Sequence, residues 1–136
     1  MMEQTYCMLK PEILAAPEQR IGVILGMLNN NGFRITAMAM RQLDRATVQE
    51  FYAEHAGKEF FGRLVEYISS GPVLAMRLER EDGVAQLREL IGSTDPAQAA
   101  AGTVRRLYGT SLTQNGIHAS ANLEDSAREL RIIFGE

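Results

Sequence analysis

Apolar residues in the first part of the chain switch from the spacing of a strand to that of a helix. The apolar run at residues 5–9 predicts a strand that ends at Lys10-Pro11, because proline cannot donate a ladder hydrogen bond. Residues 20–31 then place four aliphatic side chains at helical spacing, namely Ile21, Ile24, Leu25 and Leu28. Gly32 can take a positive φ and is expected to end this helix.

A second strand and two helices are predicted between residues 33 and 69. Alternation along residues 33–43 predicts a strand with four apolar residues on one face: Phe33, Ile35, Ala37 and Ala39. Asp44 can accept a hydrogen bond from the first turn of a helix that runs to about His55. Residues 60–69 are typical of another short helix.

The second half of the chain begins with the turn Ser70-Gly71-Pro72, which leads into a third strand at residues 73–78. Asp82 is expected to cap a helix that Gly92 ends. A long loop at residues 93–102 precedes one or two helical turns at residues 103–108.

The last part of the chain predicts a short strand followed by a helix. Asn122 is expected to cap this helix, and its apolar stripe is Leu123, Ala127 and Leu130. The order of elements predicts a single α+β domain over residues 1–136. We expect a ferredoxin-like βαββαβ core, in which an antiparallel four-stranded sheet is covered by helices on one face.

Composition narrows the class of protein. The formal net charge of −3 argues against non-specific binding to nucleic acid, which depends on positive charge. No apolar stretch has the length of a membrane span, and no basic leader precedes an apolar one, so we expect a soluble, cytoplasmic protein. The single cysteine, Cys7, cannot form an internal disulfide and is expected to be a small buried hydrophobic residue.

His118 is a candidate nucleophile. It follows the turn signal Asn115-Gly116, and a neutral imidazole nitrogen is a competent nucleophile toward phosphorus. Lys10, Arg88 and Arg105 could supply the positive charge that phosphoryl transfer requires. The residues alone leave the alternatives open: a surface histidine after a turn, and cations that are merely solvated.

Other polar and aromatic residues give weaker indications of function. Phe60 could stack on a nucleobase, whereas Phe61 is expected in the core. His55 is expected to be a helix C-terminal residue favoured by the dipole. The chain contains neither the cysteine and histidine spacing of a zinc site nor the glycine loop of a P-loop enzyme.

These segments together resemble the nucleoside diphosphate kinase family, and the resemblance covers nearly the whole chain. The matching pieces occur in the family's order and near its spacing. They are Leu9-Lys10-Pro11, residues 51–55 and 58–61, Ser70-Gly71-Pro72-Val73, and residues 92–96, 101–105 and 115–120. The resemblance implies an enzyme that transfers the γ-phosphoryl group of a nucleoside triphosphate such as ATP to a nucleoside diphosphate by ping-pong kinetics.

The resemblance also implies roles for the catalytic residues. His118 would become phosphohistidine, and Glu129 would orient its ring. Ser120 would support this region, and Tyr52 would lie near the transferred group. Lys10 would lie near the phosphates as well as the ribose.

The nucleotide would be bound by a second group of residues. Arg88, Thr94 and Arg105 would hold the phosphates, together with a Mg²⁺ ion that the phosphates bind and no protein side chain ligates. Lys10 and Asn115 would bind the ribose hydroxyls. On the base, Phe60 would stack on one face and Leu112 would pack on the other.

Several positions depart from the family's pattern. Ala119 and Ala121 stand where glycine and aspartate are usual, Asn122 replaces serine, and Glu59 replaces proline. They motivate an alternative function, a nucleotide-binding regulatory module with weak or no turnover. A nucleic-acid-binding domain of the same fold is disfavoured by the acidic charge.

The sequence also leads to expectations about the oligomeric state and about the effect of replacing Arg105. The resemblance implies a homo-oligomer, and the early end after Phe134 together with Ala101 in the long loop favours a tetramer over a hexamer. Arg105→Ala is expected to lower turnover with little loss of fold, since a phosphate-binding cation need not belong to the core.

Overall fold

The fold is a four-stranded antiparallel sheet with seven α-helices and two short 3₁₀ helices, Ala53–His55 and Pro96–Gln98. The computed structural model describes all residues from Met1 to Glu136. In chain order the elements are β1 (Met2–Leu9), α1 (Pro11–Ala15), α2 (Ile21–Asn30), β2 (Arg34–Arg41), α3 (Arg45–Phe51), α4 (Phe61–Ile68), β3 (Val73–Glu81), α5 (Gly83–Ile91), α6 (Val104–Tyr108), β4 (Ile117–Ala119) and α7 (Leu123–Phe134). No helix is both long enough and apolar enough to cross a bilayer.

The strands are arranged in the order β2-β3-β1-β4, and every neighbouring pair is antiparallel. This is the order of a ferredoxin-like βαββαβ core, so the predicted fold class is confirmed. β1 is central and pairs with both β3 and β4, so the end of β1 lies beside β4.

Helices cover both faces of the sheet, and the expectation that they cover one face is wrong. Tyr6 and Met8 of β1 contribute to one hydrophobic core with α3, α4 and α7, which we call the Tyr6 core. Cys7 and Leu9 contribute to the opposite core with α2, α5 and α6, which we call the Leu9 core. The physical reason is that residues 5–9 are fully buried at every position, as in a strand covered on both sides.

A β-bulge changes the predicted face of β2. Ile35 pairs with Leu78 and Ala37 pairs with Arg77, so one extra residue, Thr36, separates the two registers. Arg77 Nε donates to Thr36 Oγ1 at 2.9 Å and stabilises the bulge. Ala37 therefore lies on the face opposite Ile35, and the prediction that Phe33, Ile35, Ala37 and Ala39 share one face fails beyond Ile35.

The helix caps follow the sequence in two cases and depart from it in one. As predicted, Asp44 and Asn122 cap their helices. The side chain of Asp44 accepts a hydrogen bond from Thr47 N and that of Asn122 from Asp125 N, each at 2.8 Å. Asp82 instead has a left-handed backbone (φ 54°) and makes no capping bond. The first turn of α5 donates from Val84 N to Glu3 Oε1 at 3.1 Å, so a residue of β1 caps this helix.

The buried face of α7 differs from the predicted apolar stripe. Leu123 and Ala127 are exposed, whereas Leu130 is buried together with Ser126, Glu129 and Ile133. Two of these are polar and are buried because each makes hydrogen bonds to the sheet side; Ser126 Oγ donates to Gln4 O at 2.9 Å. The other, Glu129, belongs to the site described next.

Candidate active site

A cavity of about 560 Å³ opens beside β4. It is lined by every candidate residue from the sequence except Ser120: Lys10, Tyr52, Phe60, Arg88, Thr94, Arg105, Leu112, Asn115, His118 and Glu129. Ser120 is fully buried directly behind this wall. The structure thus brings together residues that lie up to 119 positions apart in the chain, from Lys10 to Glu129.

The site is assembled from both sides of the sheet edge. His118 pairs with Met8, a residue of the Tyr6 core, and α7 supplies Glu129 from the same side. Arg88 and Arg105 come from α5 and α6, which pack on the Leu9 core. The nucleophile candidate and the two arginines therefore reach the cavity from opposite layers.

Glu129 fixes the orientation of the His118 ring. Nε2 of His118 lies 2.9 Å from Oε1 of Glu129, and Ser120 Oγ donates to the same oxygen at 2.7 Å. Glu129 is only 3% exposed, so this buried carboxylate favours a hydrogen on Nε2. In the neutral ring, Nδ1 then carries the free lone pair, and no protein group binds it.

Aromatic rings surround the imidazole on its inner side. The ring centroids of Phe51, Tyr6 and Tyr52 lie 5.1, 5.9 and 6.1 Å from that of His118. Burial raises the pKa of the Tyr52 phenol, so its hydroxyl stays protonated. This hydroxyl is buried and has no hydrogen-bond partner in the protein.

Three cations meet at the cavity without a neutralising ion pair. Burial lowers the pKa of Lys10 to about 8, and the charge of Arg105 contributes to that lowering. Burial also lowers the pKa of Arg105 to about 10, with a second contribution from Arg88. None of the three forms an ion pair within the protein. Positive charge that is not neutralised by a direct ion pair favours an anionic ligand.

Arg105 belongs to the packed interior as well as to the cavity wall. Its Nε and Nη2 donate to Ile117 O at 3.3 and 2.8 Å, and Nη1 donates to Gly92 O at 3.1 Å. The side chain thus connects α6 to β4 and to the end of α5. The expectation that its removal spares the fold is therefore wrong in its premise.

Asn115 connects three segments around the cavity. Its Oδ1 accepts from Lys10 Nζ at 2.6 Å, and its Nδ2 donates to Thr94 O at 2.9 Å and to Leu112 O at 3.2 Å. Both amide hydrogens are used within the protein. One lone pair on Oδ1 remains for a ligand hydroxyl.

Apolar side chains occupy the outer part of the cavity. Phe60 is 38% exposed and Leu112 is 62% exposed, so each presents free apolar surface. His55 also lines the cavity, with its ring 5.4 Å from that of Phe60 and its Nδ1 3.1 Å from Lys58 Nζ. The sequence indicated only a helix end at His55; its position close to Tyr52 and Phe60 in the chain was the available signal.

The comparison with protein families decides the classification. The family model for nucleoside diphosphate kinase matches residues 3–136. The chain belongs to the nucleoside diphosphate kinase family. Nucleoside diphosphate kinases of Sorangium cellulosum and Chlorobaculum tepidum are 45% and 46% identical to it over 133 residues, which cover 98% of this chain and 91% and 94% of theirs.

Solved nucleoside diphosphate kinases have the same fold. The Aquifex aeolicus enzyme superposes with a TM-score of 0.94 at 37% identity, covering 98% of this chain and 96% of that one. The Halobacterium salinarum enzyme, solved in complex with CDP, gives 0.92 at 38% identity, covering 100% of this chain and 90% of that one. Family and fold together support nucleoside diphosphate kinase activity, and the chain is an enzyme of this class.

Two departures from the family's pattern fit the local structure. Ala119 lies in β4 opposite Cys7, and its φ is not positive, so the strand does not need a glycine there. Asn122 caps α7, as a serine also can. Ala121 lines the cavity, where the family usually places an aspartate, so this position contributes no negative charge.

Proposed function

We propose that the protein transfers the γ-phosphoryl group of a nucleoside triphosphate to a nucleoside diphosphate through a phosphohistidine at His118. The observation that carries this proposal is the bond from His118 Nε2 to the buried Glu129, which leaves the Nδ1 lone pair as the nucleophile beside three unpaired cations. Ping-pong kinetics follow, because the first product leaves before the second substrate enters.

The chemical step conserves charge and atoms. Nδ1 attacks the γ-phosphorus, an N–P bond forms, and the bond to the oxygen bridging the β- and γ-phosphates breaks. The nucleoside diphosphate leaves with that electron pair. A terminal oxygen of the second nucleoside diphosphate then attacks the phosphorus and releases the imidazole. Glu129 stabilises the positive charge that the ring carries while it is phosphorylated.

The remaining residues are proposed to bind the nucleotide. Arg88, Thr94 and Arg105 hold the phosphates, since arginine stays charged and can bind phosphate through two donors. Tyr52 lines the cavity near the transferred group. Lys10 and Asn115 bind the ribose hydroxyls. The structure of a relative in complex with CDP supports a nucleoside diphosphate as ligand.

The base is proposed to lie between Phe60 and Leu112. Both line the outer cavity and both are partly exposed. Stacking and apolar contact tolerate every base, so we propose a broad choice of nucleotides.

Magnesium is proposed to enter with the substrate. No group of three or more His, Cys, Asp or Glu side chains is placed to hold a metal ion. A cation bound to the nucleotide phosphates would offset their negative charge and so complement Arg88 and Arg105.

We also propose that the protein is a cytoplasmic homo-oligomer, with a tetramer favoured over a hexamer. Met38 and Met40 on the edge strand β2 are 52% and 62% exposed, and such apolar edge surface supports association with another copy. Light scattering coupled to size exclusion should give four times the chain mass of 15.1 kDa; a mass of six chains contradicts the tetramer.

The alternative is a nucleotide-binding regulatory module with weak or no turnover, which Ala121 in the cavity wall motivates. The two functions are separated by incubation with γ-labelled ATP and Mg²⁺, followed by measurement of acid-labile label on the protein and its transfer to GDP. We expect label on the wild type and none on His118→Asn.

The matched control is His55→Asn, because the chain has only these two histidines and both line the cavity. This control should keep the covalent label. An unlabelled wild type that still binds ADP supports the regulatory module. Undiminished label on His118→Asn removes the phosphohistidine mechanism.

A further inference from the structure

Glu12 is a partly buried acid that the proposed mechanism does not use. It lies on α1, two residues beyond Lys10, and its backbone N–H donates to the Tyr67 hydroxyl at 3.0 Å. Its Oε1 accepts from Gly116 N at 2.9 Å, across 104 positions of the chain. Its Oε2 is buried and has no hydrogen-bond partner.

The bond to Gly116 holds one end of a loop that forms part of the cavity. Residues 110–115 close on themselves through Thr110 and Ser111, whose backbone N–H groups donate to Gln114 O at 2.8 and 3.2 Å. This loop carries Leu112, Thr113 and Asn115, and all three line the cavity. Its connection to β4 passes through Gly116, so Glu12 fixes the point where the loop joins the sheet.

Lys10, two residues before Glu12, binds the same loop. Its Nζ donates to Asn115 Oδ1 at 2.6 Å and to Thr113 O at 3.3 Å, while its backbone N donates to Gly116 O at 2.9 Å. Gly116 is therefore held through both its N–H and its carbonyl, by the Glu12 carboxylate and by the Lys10 backbone. The position of the loop at residues 110–115 and the position of the Lys10 side chain therefore depend on each other.

Charge gives Glu12 a second effect. The charged groups that act on Lys10 are Arg105 on α6, which disfavours its ammonium form, and Glu12 on α1, which favours it. Burial raises the pKa of Glu12 itself, and Lys10 opposes that rise. A carboxylate with one buried, unpartnered oxygen costs stability, and a hydrogen bond to Gly116 alone could be made by an amide instead.

We propose that Glu12 is a positioning residue of the nucleotide site: it anchors the loop at residues 110–115 through Gly116, and its negative charge offsets Arg105 beside Lys10. The role in catalysis rests on the proposed function. Because Glu12 is not among the residues that line the cavity, it acts on the nucleotide through Lys10 and the loop.

Two variants separate the two effects. Glu12→Gln keeps an acceptor for Gly116 N but removes the charge, and Glu12→Ala removes both. The matched control is Glu18→Gln, an exposed acid in the same connection between β1 and α2 that has no effect on Lys10.

NMR measures both effects in the nucleotide-free protein. The chain has only two lysines, so ¹³C-labelled lysine gives one signal for Lys10 and one for Lys58, assigned with Lys58→Arg. The pKa of Lys10 should fall below its wild-type value of about 8 in both Glu12 variants and stay unchanged in Glu18→Gln. Exchange of the Gly116 amide should accelerate on the order of tenfold in Glu12→Ala only.

Steady-state kinetics should also separate the loss of the loop anchor from the loss of the charge. Glu12→Ala should raise the KM for nucleoside diphosphate about tenfold and leave kcat within about twofold, because Glu129 and His118 are untouched. Glu12→Gln should move the alkaline limb of kcat/KM to lower pH with a smaller change in KM at neutral pH.

The outcomes distinguish the two proposals. Unchanged titration of Lys10 in Glu12→Gln together with unchanged Gly116 exchange in Glu12→Ala overturns the positioning role, even in a fully active enzyme. A loss of kcat without a change in KM overturns it as well. A wild type that forms no phosphohistidine overturns the proposed function instead, whatever NMR reports for Lys10.

Discussion

Glu129 holds His118 through a carboxylate oxygen that is already hydrogen-bonded to a serine, so the ring nitrogen meets an acceptor with a fixed position. We expect Glu129→Gln to preserve an acceptor for Nε2 but to lose the negative charge opposite the phosphorylated ring. Formation of phosphohistidine should slow on the order of 100-fold, measured by rapid quench with labelled ATP. Glu124→Gln, at an exposed position of the same helix, should be unaffected.

Arg105 and Arg88 are expected to differ in their effect on stability. Arg105→Ala leaves the carbonyls of Ile117 and Gly92 without donors and should lower the free energy of unfolding by about 3 kcal/mol. Arg88→Ala removes an exposed side chain and should leave the melting temperature unchanged while raising the KM for nucleotide about tenfold. Thermal melts measure the change in stability, and initial rates measure KM. Equal destabilisation by the two variants contradicts the assignment.

Nucleotide binding is expected to weaken at alkaline pH because of Lys10. Its pKa is about 8 in the fold, against 10.5 for a free lysine side chain. Between these values the unfolded chain holds a proton that the folded chain has released, so the cost of burying this group falls and stability rises as pH increases through that window. Ligand binding changes in the opposite sense, since the folded protein loses a cation from the cavity.

The dissociation constant for ADP should therefore rise about tenfold between about pH 7 and about pH 9.5, measured by calorimetry. Lys10→Met should bind ADP more weakly at neutral pH and show a flatter dependence above it. A wild-type affinity that is constant across this range contradicts the assignment of the pH effect to Lys10.

Gly109 lies at a point of close approach between the cavity loop and the rest of the chain. A Cβ at this position would lie 2.7 Å from Pro96 Cγ, 2.8 Å from Arg105 O and 3.0 Å from Asn115 Cα. Gly109→Ala should therefore move Asn115, raise the KM for nucleotide about tenfold and cost about 2 kcal/mol of stability.

Gly62→Ala is the matched control for this substitution. Apart from its chain neighbours and the backbone of α4 itself, no atom lies within 4 Å of the added Cβ, so the change should stabilise the protein by about 0.5 kcal/mol and leave KM unchanged. Urea denaturation together with initial rates tests the pair. A Gly109→Ala variant that matches Gly62→Ala in both measurements contradicts the role of the close approach.

Local sequence signals predicted those elements whose determinants are close in the chain. Asp44 and Asn122 cap helices through residues three positions away, and Gly92 ends α5 with φ 96°. The failures involve distant partners. Arg77 stabilises the bulge at Thr36 from 41 positions away, and Glu3 caps α5 from 81 positions away, so no local pattern contains either contact.

In the candidate site, too, features with local signals were predicted and features that depend on distant partners were not. The resemblance to a family supplied the residues that line the cavity, and the turn at Asn115-Gly116 marked the approach to the histidine. The burial of Arg105 and the bond from Gly116 to Glu12 depend on tertiary packing. The short helix α1, which begins at Pro11 and presents Glu12, was not predicted either, because five residues give no readable periodicity.

The assembly of the cavity from the Tyr6 core on one side and the Leu9 core on the other makes its chemistry sensitive to remote packing. A cavity-creating substitution in either layer tilts one half of the catalytic group against the other, and misplacement by about 1 Å can cost about 100-fold in rate. The turnover rate of this enzyme therefore depends on how the two hydrophobic cores, which lie on opposite faces of one sheet, are positioned relative to each other.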